Sequence, residues 1–518
     1  TRAMRLENVG THTLTLDRAF GFSFDLPVGS YETLTLAGSW AAERAPERTA
    51  LRHGVFSVDS KRVTSSATLN PFLAVMTAGT DETHGRAWGV NLVYASSFRL
   101  LAETAQHDRV RVTGGINDFG FSWELRPGDT FTTPEAVLAY SGEGLGHLSR
   151  IFHDTYRAHL IPARFACTPR PVVINNWEAT YFDFDREKLF AIIDAAAGTG
   201  IDTFVLDDGW FGKRDDDHSG LGDWYVNTKK LVGGLDPVIE HCHTRGLKFG
   251  LWFEPEMVNP DSDLYRTHPD WAIHAPGYPL AEARNQFVLD LTRAEVRDYV
   301  VNAVNAVLDA HRIDYVKWDC NRYVTEMYSP ALPANRQGEF AHRYALGLYD
   351  LFERIVNTHP GIFFEGCSSG GARFDPAILA YFPQIWTSDD TDAAMRARIQ
   401  WGTSFCYPLS SMSCHASVCP NHQTRRVTPW ETRARMAHLG ATGYELDTSR
   451  MSAEDLAAVP TQIADYRAMQ DLVLTGDFYR LADPHEDRQF AVALVAKDGS
   501  RAHVTVMQLL RVFNCPPL

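Results

Sequence analysis

The stretch IDYVKWDCNR, residues 313–322, runs from an apolar strand into a charged end. Side chains at alternate positions of a strand point to opposite faces, so Lys317 and Asp319 should share one face and Trp318 should point into the opposite layer. A nearby ammonium favours the ionised form of a carboxylate, as a nucleophile requires. The pattern therefore predicts either an ionised Asp319 at a functional strand end or a structural salt bridge.

Seven further apolar stretches resemble this strand, and segments with helical periodicity separate them. They are RPVVINNW (170–177), DTFVLDDGW (202–210), KFGLWFEPE (248–256), GIFFEGCSS (361–369), QIWTSDD (384–390), TSFCYPLSSM (403–412) and MAHLGATGYEL (436–446). Apolar strands that alternate with helices are typical of parallel α/β sheets. Eight such units predict a (β/α)8 barrel, a TIM barrel, over residues 169–475.

The flanking segments have a different pattern. Residues 1–145 contain short alternating runs broken by Gly, Pro and Asp, which predicts a β-sandwich. Within 146–168, HLSRIFHDTYRAHLI has apolar residues at helical spacing and predicts a linker helix. In 476–518, QFAVALVA and AHVTVMQLL predict the start of a small, partial antiparallel β domain.

Composition narrows the class of protein. The chain has 518 residues, 45% of them hydrophobic, and a net charge of -15, which disfavours nucleic acid as a partner. No apolar stretch approaches the ~20 residues of a membrane span, so we expect no membrane association. The eight cysteines are scattered as reduced thiols would be, and we expect a cytoplasmic protein.

The predicted strand ends are rich in carboxylates and indoles. The acidic residues are Asp207, Asp208, Glu254, Glu256, Asp319, Glu365, Asp389 and Asp390, and the tryptophans are Trp177, Trp210, Trp252, Trp318 and Trp386. Active sites of such barrels lie at the C-terminal ends of the strands, where an indole can stack on a sugar ring and carboxylates can bind its hydroxyls. Any one carboxylate could instead cap a helix, and for Trp318 we favour a packing role.

Three carboxylates crowd one turn in SDDTDAAMRARIQ, residues 388–400. Like charges at close range can raise one pKa enough for a protonated carboxyl to act as a general acid. Asp389 and Asp390 are the candidates for that role. Asp392 is placed as the N-cap of the following helix.

Several motifs occur together in one order. They are NNWEATYF (175–182), LDDGWFG (206–212), GLWFEPEMV (250–258), ARNQFVLD (283–290), YVKWDCNR (315–322), FEGCSSGGARFDPAIL (364–379) and WTSDDTDAAMRARIQWGTS (386–404). In this order the chain resembles the bacterial α-galactosidases of glycoside hydrolase family 36. The likeness continues weakly upstream in YETLTLAGSWAAER (31–44) and DSKRVTSSATLNPF (59–72). It implies an N-terminal β-supersandwich, a catalytic barrel and a C-terminal antiparallel β domain, with the two terminal domains shortened here.

The resemblance also implies roles for individual residues. It makes Asp319 the nucleophile and Asp389 the acid/base of a retaining, exo-acting α-galactosidase, with Asp390 as the alternative acid. Its galactose pocket corresponds to Trp177, Asp207, Asp208, Trp252, Arg284 and Lys317, with Cys367 and Gly370 near the sugar O2. Trp40 resembles a tryptophan that reaches a neighbouring subunit in tetrameric members, so a homotetramer is expected. Ala372 stands where a third glycine is expected.

The implied reaction is a double displacement on terminal α-galactosides such as melibiose or raffinose, without metal, nucleotide or organic cofactor. An α-N-acetylgalactosaminidase is the alternative within the family. Outside it, residues 366–370 fit G-x-S-x-G, so a serine hydrolase could use Ser368 with Asp389 and His415. Metal binding by Cys414, His415, Cys419 and His422 and a catalytically inactive sugar-binding protein complete the alternatives.

Overall fold

The computed structural model describes residues 1–510. Residues 511–518, which belong to the expected C-terminal domain and include Cys515, lie outside the described residues. Within residues 1–510, no helix combines the length and apolar character needed to cross a lipid bilayer.

Antiparallel β-sheets make up the first 141 residues. Their strands are β1 Arg5–Glu7, β2 Leu14–Leu16, β3 Phe20–Asp25, β4 Tyr31–Ser39, β5 Ala42–Ala50, β6 Gly54–Asp59, β7 Leu69–Thr77, β8 Ala87–Val93, β9 Phe98–Thr104, β10 Val110–Ile116, β11 Trp123–Leu125, β12 Thr130–Thr132 and β13 Glu135–Ser141. The main sheets have the strand orders β13-β8-β7-β4-β5 and β3-β10-β9-β6. Strands β1 and β12 form a two-stranded pair, as do β2 and β11.

Strand β7 is buried on both faces, which explains its unbroken apolar run. Leu73 and Val75 belong to a core shared with the four-stranded sheet. Phe72, Ala74 and Met76 point the other way and join the large core of the barrel. Because alternate side chains serve different cores, the five-stranded sheet is the layer that joins the sandwich to the barrel.

A closed barrel of eight parallel strands follows. The strands are β14 Val173–Asn175, β15 Thr203–Leu206, β16 Lys248–Phe253, β19 Tyr315–Trp318, β20 Phe363–Gly366, β21 Gln384–Trp386, β22 Met412–Ser417 and β23 Ala441–Glu445. A small antiparallel pair, β17 Met257–Val258 and β18 Phe287–Val288, lies outside the barrel sheet. This confirms the predicted barrel architecture.

Helices connect and cover the strands. They are α1 Gly144–His159, α2 Ala163–Ala166, α3 Trp177–Thr180, α4 Arg186–Ala196, α5 Asp236–Thr244, α6 Asp263–Thr267, α7 Ala294–Ala310, α8 Phe340–Val356, α9 Pro376–Leu379, α10 Ala393–Thr403, α11 Trp430–Ala437 and α12 Ala453–Thr475. The expected linker helix is α1. Asp392 accepts a hydrogen bond from the Ala394 N–H and is the N-cap of α10, as predicted.

The prediction for the seventh strand is wrong in position. TSFCYPLSSM was expected to be the strand, but α10 ends at Thr403 and the strand begins at Met412, the last residue of that stretch. The apolar residues of the stretch, including Phe405, Tyr407 and Leu409, are buried in a connection that contains a short 3-10 turn. A short buried apolar run has no periodicity that separates a strand from a packed connection.

Strand β19 confirms the expected alternation. Tyr315 packs inside the barrel with Val173, Val205 and Phe363. Trp318 points outward, where its ring lies 5.3 Å from the ring of Phe352 in α8. Lys317 and Asp319 therefore point toward the C-terminal opening of the barrel interior.

The described part of the chain ends in a three-stranded antiparallel sheet. Its strands are β24 Asp477–Ala482, β25 Gln489–Val495 and β26 Ala502–Gln508, in sequential order. The two C-terminal strands expected from the sequence are β25 and β26. Strand β24 was missed, since DFYRLA is a short run next to a long helix.

Candidate active site

A cavity of about 660 Å³ lies at the C-terminal ends of the barrel strands. It is within the size range of small-molecule sites. Ten of the residues expected at the site line it: Trp40, Trp177, Asp207, Asp208, Trp252, Arg284, Lys317, Asp319, Cys367 and Asp389. Gly370 does not line it and lies behind the wall.

Asp319 follows β19 and is held by three N–H donors. The Cys320 backbone N–H donates to Oδ1 at 2.8 Å. The Asn321 amide and the Trp252 indole donate to Oδ2, at 2.8 Å and 3.2 Å. Donors of this kind stabilise negative charge, so the site is suited to hold Asp319 as an oriented carboxylate.

Lys317 is paired with a different carboxylate from the one that the sequence suggested. Its Nζ donates to Asp207 Oδ2 at 2.8 Å, and the amide of Asn175 donates to the same oxygen at 2.6 Å. The negative charge of Asp207 raises the pKa of Lys317 well above its ordinary value, despite burial. The ion pair expected between Lys317 and Asp319 is therefore replaced by one with Asp207, and hydrogen bonds hold the nucleophile candidate instead.

Asp208 is also bound to a cation. Its carboxylate accepts three hydrogen bonds from Arg214: Nε donates to Oδ1 at 2.9 Å and to Oδ2 at 3.2 Å, and Nη2 donates to Oδ2 at 2.8 Å. Strand β15 ends at Leu206, and Gly209 has a φ of +110°, so the chain has turned enough for consecutive carboxylates to reach one cavity. Asp208 is therefore paired with a buried cation and also lines the cavity.

Asp389 and Asp390 differ in where their side chains point. Asp389 lines the cavity, where its oxygens accept from the Trp40 and Trp386 indoles at 2.8 and 3.1 Å. Burial raises its pKa, the Trp40 hydrogen bond opposes the shift and the charge of Asp319 adds to it. Asp390 caps the Asp392 N–H at 2.9 Å, and burial raises its pKa to about 6. By geometry Asp389 is the better candidate acid, because Asp390 does not line the cavity.

The loop after β20 forms one wall of the cavity. Burial raises the pKa of the Cys367 thiol, which faces the cavity. A side chain at Gly370, where φ is +80°, would meet the Asp389 backbone nitrogen at 2.6 Å. Gly370 thus permits close packing behind the candidate acid. Ala372 is buried without lining the cavity, so its methyl group does not narrow the site.

Trp40 reaches the cavity of its own chain. It lies in the turn between β4 and β5, is 57% exposed and donates to Asp389 as described above. The contribution of this tryptophan to a neighbouring subunit's site stays a prediction, and in this structure the indole lies in the cavity of its own chain. The cause is the packing of β5 against α10 of the same chain, which brings the turn over its own barrel.

The remaining strand-end residues divide between the cavity and the core. Trp318 donates its indole N–H to Glu256 at 2.9 Å, and Arg373 forms an ion pair with the same carboxylate, so both have packing roles. Trp210 is buried and donates to a backbone carbonyl. Glu365 accepts from the Tyr315 hydroxyl. Trp386 and Glu254 line the cavity.

Arg284 and Asn321 bracket the cavity from a loop and a strand end. Arg284 is exposed and donates to Asn321 Oδ1 at 3.1 Å and to the Ser369 hydroxyl at 2.8 Å. The Asn321 amide also donates to Glu254 at 3.0 Å. Burial, followed by the negative charge of Asp319, raises the pKa of Glu254 to about 7.

Two buried glutamates of the cavity were missed by sequence reasoning. Glu178 and Glu445 line it, and Glu445 accepts from His415 Nδ1 at 2.9 Å. Burial and then the charge of Glu445 raise the pKa of Glu178 well above its ordinary value. The position of Glu445 at the end of β23 was the available signal; Glu178 lies in the short helix after β14, where no strand-end rule applies.

The alternative sites lack the required geometry. The Ser368 hydroxyl donates to the Cys320 carbonyl at 2.7 Å, whereas His415 is paired with Glu445, so no Ser–His pair is formed. Cys414 and His415 are consecutive in β22 and point to opposite faces. Among the described residues no group of His, Cys, Asp and Glu is arranged to hold a metal ion.

Comparison with known proteins gives matches over almost the whole chain. The melibiase family model matches residues 130–476, and the glycosyl hydrolase family 36 N-terminal domain matches residues 1–126. Alpha-galactosidase AgaA of Geobacillus stearothermophilus is 47% identical over 100% of this chain and 71% of that protein. Alpha-galactosidase Mel36A of Lactobacillus acidophilus is 43% identical over 98% of this chain and 69% of that protein.

Solved structures agree with these matches. The crystal structure of AgaA has a TM-score of 0.97 and covers 99% of this chain and 71% of its own. Variants of AgaA have been solved in complex with raffinose and with stachyose. Since the melibiase model alone matches more than half of the residues, this chain belongs to glycoside hydrolase family 36.

Proposed function

We propose that this protein is a retaining, exo-acting α-galactosidase in which Asp319 is the nucleophile and Asp389 the acid/base. One observation carries the proposal: two carboxylates in unlike environments line one cavity. Asp319 has three N–H donors that stabilise its charge. Burial favours the protonated form of Asp389, and a division of this kind separates a nucleophile from a general acid.

The reaction proceeds in two displacements. Asp319 attacks the anomeric carbon while Asp389 gives its proton to the departing glycosidic oxygen. In the second step Asp389, now ionised, accepts a proton from water, which attacks the glycosyl-enzyme and releases galactose with its α configuration. When Asp319 is bonded to the sugar, its negative charge is neutralised and no longer raises the pKa of Asp389. The pKa of Asp389 therefore falls in the intermediate, which favours its ionised form as the base of the second step.

Recognition of galactose is assigned to three charged residues that line the cavity. Asp207, Asp208 and Lys317 present fixed acceptors and a donor to the cavity. Buried polar groups left without a hydroxyl partner each cost about 1–3 kcal/mol, which is the basis for rejecting the wrong epimer. Trp177 and Trp252 supply apolar walls for the ring.

Raffinose-type oligosaccharides are the proposed substrates. The related AgaA has been solved with raffinose and stachyose, and the wide cavity of this chain supports the same class. The alternative α-N-acetylgalactosaminidase is not favoured, since the relatives are α-galactosidases. Parallel assays on the 4-nitrophenyl α-galactoside and α-N-acetylgalactosaminide test this choice. Turnover confined to the second glycoside would refute it.

Assembly and compartment are part of the same proposal. We expect a homotetramer, as the family resemblance implies, and light scattering measures it. The seven described cysteines are free, which suits the reducing cytoplasm.

A further inference from the structure

A turn from the N-terminal sandwich meets the candidate acid of the barrel. Strand β4 ends at Ser39 and β5 begins at Ala42, so Trp40 lies at the tip of a tight hairpin. Gly38 and Ala41 have φ values of +150° and +63°, and a side chain at Gly38 would meet the Ala42 carbonyl oxygen at 2.3 Å. The backbone at this tip is therefore closely constrained. It presents the indole N–H of Trp40 to Asp389 Oδ2 at 2.8 Å.

Arg44, four residues further on, fastens this hairpin to the barrel. Its Nε donates to Thr403 Oγ1 and its Nη1 to the Gly371 carbonyl, both at 2.7 Å, and its Nη2 donates to the Thr387 carbonyl. The guanidinium also lies 4.8 Å from the centre of the Phe374 ring. Arg44 is buried and has a φ of +57°, a conformation that bulky residues rarely adopt unless their surroundings fix it.

The barrel has room for Arg44 only because two of its residues are glycines. A side chain at Gly371 would come within 2.5 Å of Arg44 Nη1, and one at Gly402 within 1.8 Å of the Arg44 carbonyl oxygen. Thr387, whose carbonyl accepts from the guanidinium, directly follows β21 and lies two residues before Asp389. The same guanidinium thus ties the hairpin to the strand end that carries the candidate acid.

We propose that Arg44 is a positioning residue for proton transfer: it fastens the hairpin so that the Trp40 indole stays on the Asp389 carboxylate. The N-terminal domain thereby takes part in the acid/base step of the barrel. This inference rests on the proposed role of Asp389 as the acid/base. The indole donor stabilises the ionised form of the carboxylate and limits its orientations.

The pH profile of kcat/KM is sensitive to the hydrogen bond from Trp40 to Asp389. Its basic limb reports the pKa of the acid in the free enzyme. Loss of a hydrogen bond that an ionised carboxylate accepts favours the protonated form of that carboxylate. Trp40→Phe should therefore raise the pKa of Asp389 and move the basic limb up by about one pH unit. The titratable and charged groups that face Asp389 and stay unchanged in this variant are Asp319, Lys317, Arg284, Glu43, Glu178 and Cys367.

A double-mutant cycle tests whether Arg44 acts through Trp40. Arg44→Lys keeps the positive charge but loses the planar fork, and we expect the basic limb to move in the same direction as in Trp40→Phe. The double variant should move it no further than the larger single shift. Arg48→Met is the matched control, because Arg48 lies on the same strand, is 41% exposed and pairs with Glu32; its profile should equal the wild type.

Each outcome decides a separate point. An unshifted basic limb in Arg44→Lys, or shifts that add in the double variant, would overturn the inference. If Arg44→Lys does not fold, Thr403→Val removes one partner of the guanidinium and must produce a smaller shift of the same sign. Asp389→Asn distinguishes failure of the acid/base assignment from failure of the positioning role. If the wild-type basic limb persists in Asp389→Asn, the assignment of Asp389 fails. If the limb is lost in that variant but does not move in the Arg44 and Thr403 variants, the positioning role alone fails.

Discussion

Replacement of Asp207 by Asn separates a role in substrate binding from a role in pairing the buried lysine. Asp207 Oδ2 accepts from Lys317 Nζ at 2.8 Å and from Asn175 at 2.6 Å, and the Asp207 and Lys317 side chains are only 4% and 6% exposed. An amide at position 207 removes the charge that offsets the buried ammonium. Removing one partner of a buried ion pair costs about 3–5 kcal/mol, a large share of a typical stability of about 5–15 kcal/mol.

The expected loss of kcat/KM in Asp207→Asn has a different cause from the loss of stability. If an Asp207 oxygen accepts a hydrogen bond from a galactose hydroxyl, its replacement costs about 1–3 kcal/mol or more, so kcat/KM on α-galactosides should fall by roughly 5-fold to more than 100-fold. Calorimetry and kinetics with 4-nitrophenyl α-galactoside measure the two losses separately. The single variant should show a lower melting temperature and a lower kcat/KM.

A second substitution distinguishes the two causes. In Asp207→Asn/Lys317→Met no unpaired charge is left, so the melting temperature should recover toward that of the wild type. The value of kcat/KM should stay low, because the substrate then lacks both one of the two acceptor oxygens at position 207 and the donor that Lys317 presents to the cavity. Recovery of kcat/KM in the double variant, or an undiminished kcat/KM in the single one, would refute a role for Asp207 in substrate binding.

Four other predictions concern the acid, its neighbour, the serine and the assembly. Asp389→Ala should lose far more activity on melibiose than on an activated aryl galactoside, which departs without protonation; equal losses would identify another acid. Asp390 has a raised pKa of about 6, so its ionisation destabilises the fold as pH rises from about 4 to 6. Asp390→Asn should remove this part of the pH dependence of the melting temperature. The preference of the enzyme for one leaving group over another should stay as in the wild type. A fluorophosphonate probe should leave Ser368 unlabelled, and labelling of Ser368 would support the serine hydrolase alternative. Light scattering should give a tetramer, and a fully active monomer would contradict that expectation.

The sequence allowed much of the barrel to be predicted because its strands end in recognisable chemistry. Seven of the eight apolar stretches contain their barrel strand, and the alternation in YVKWD placed Lys317 and Asp319 on the inner face. Within one strand the period of two is a local property that needs no knowledge of neighbours. The same reasoning placed Trp318 correctly in the outer layer.

Contacts between distant segments could not be predicted in this way. Lys317 pairs with Asp207, 110 positions away, because the closed barrel brings β15 and β19 around one interior. The position of Trp40 depends on the buried Arg44 and on two glycines of the barrel. These partners are set by tertiary packing, and periodicity within one strand carries no information about them.

The anomeric configuration of an azide product identifies the nucleophile of this enzyme. Without a nucleophile, Asp319→Ala should fold but lose nearly all turnover, and azide should occupy the space of the missing carboxylate and attack from the face that Asp319 used. We predict restored activity with β-galactosyl azide as the product. An α-galactosyl azide, or a variant that keeps its activity without azide, would contradict the assignment of Asp319 as the nucleophile of a retaining α-galactosidase.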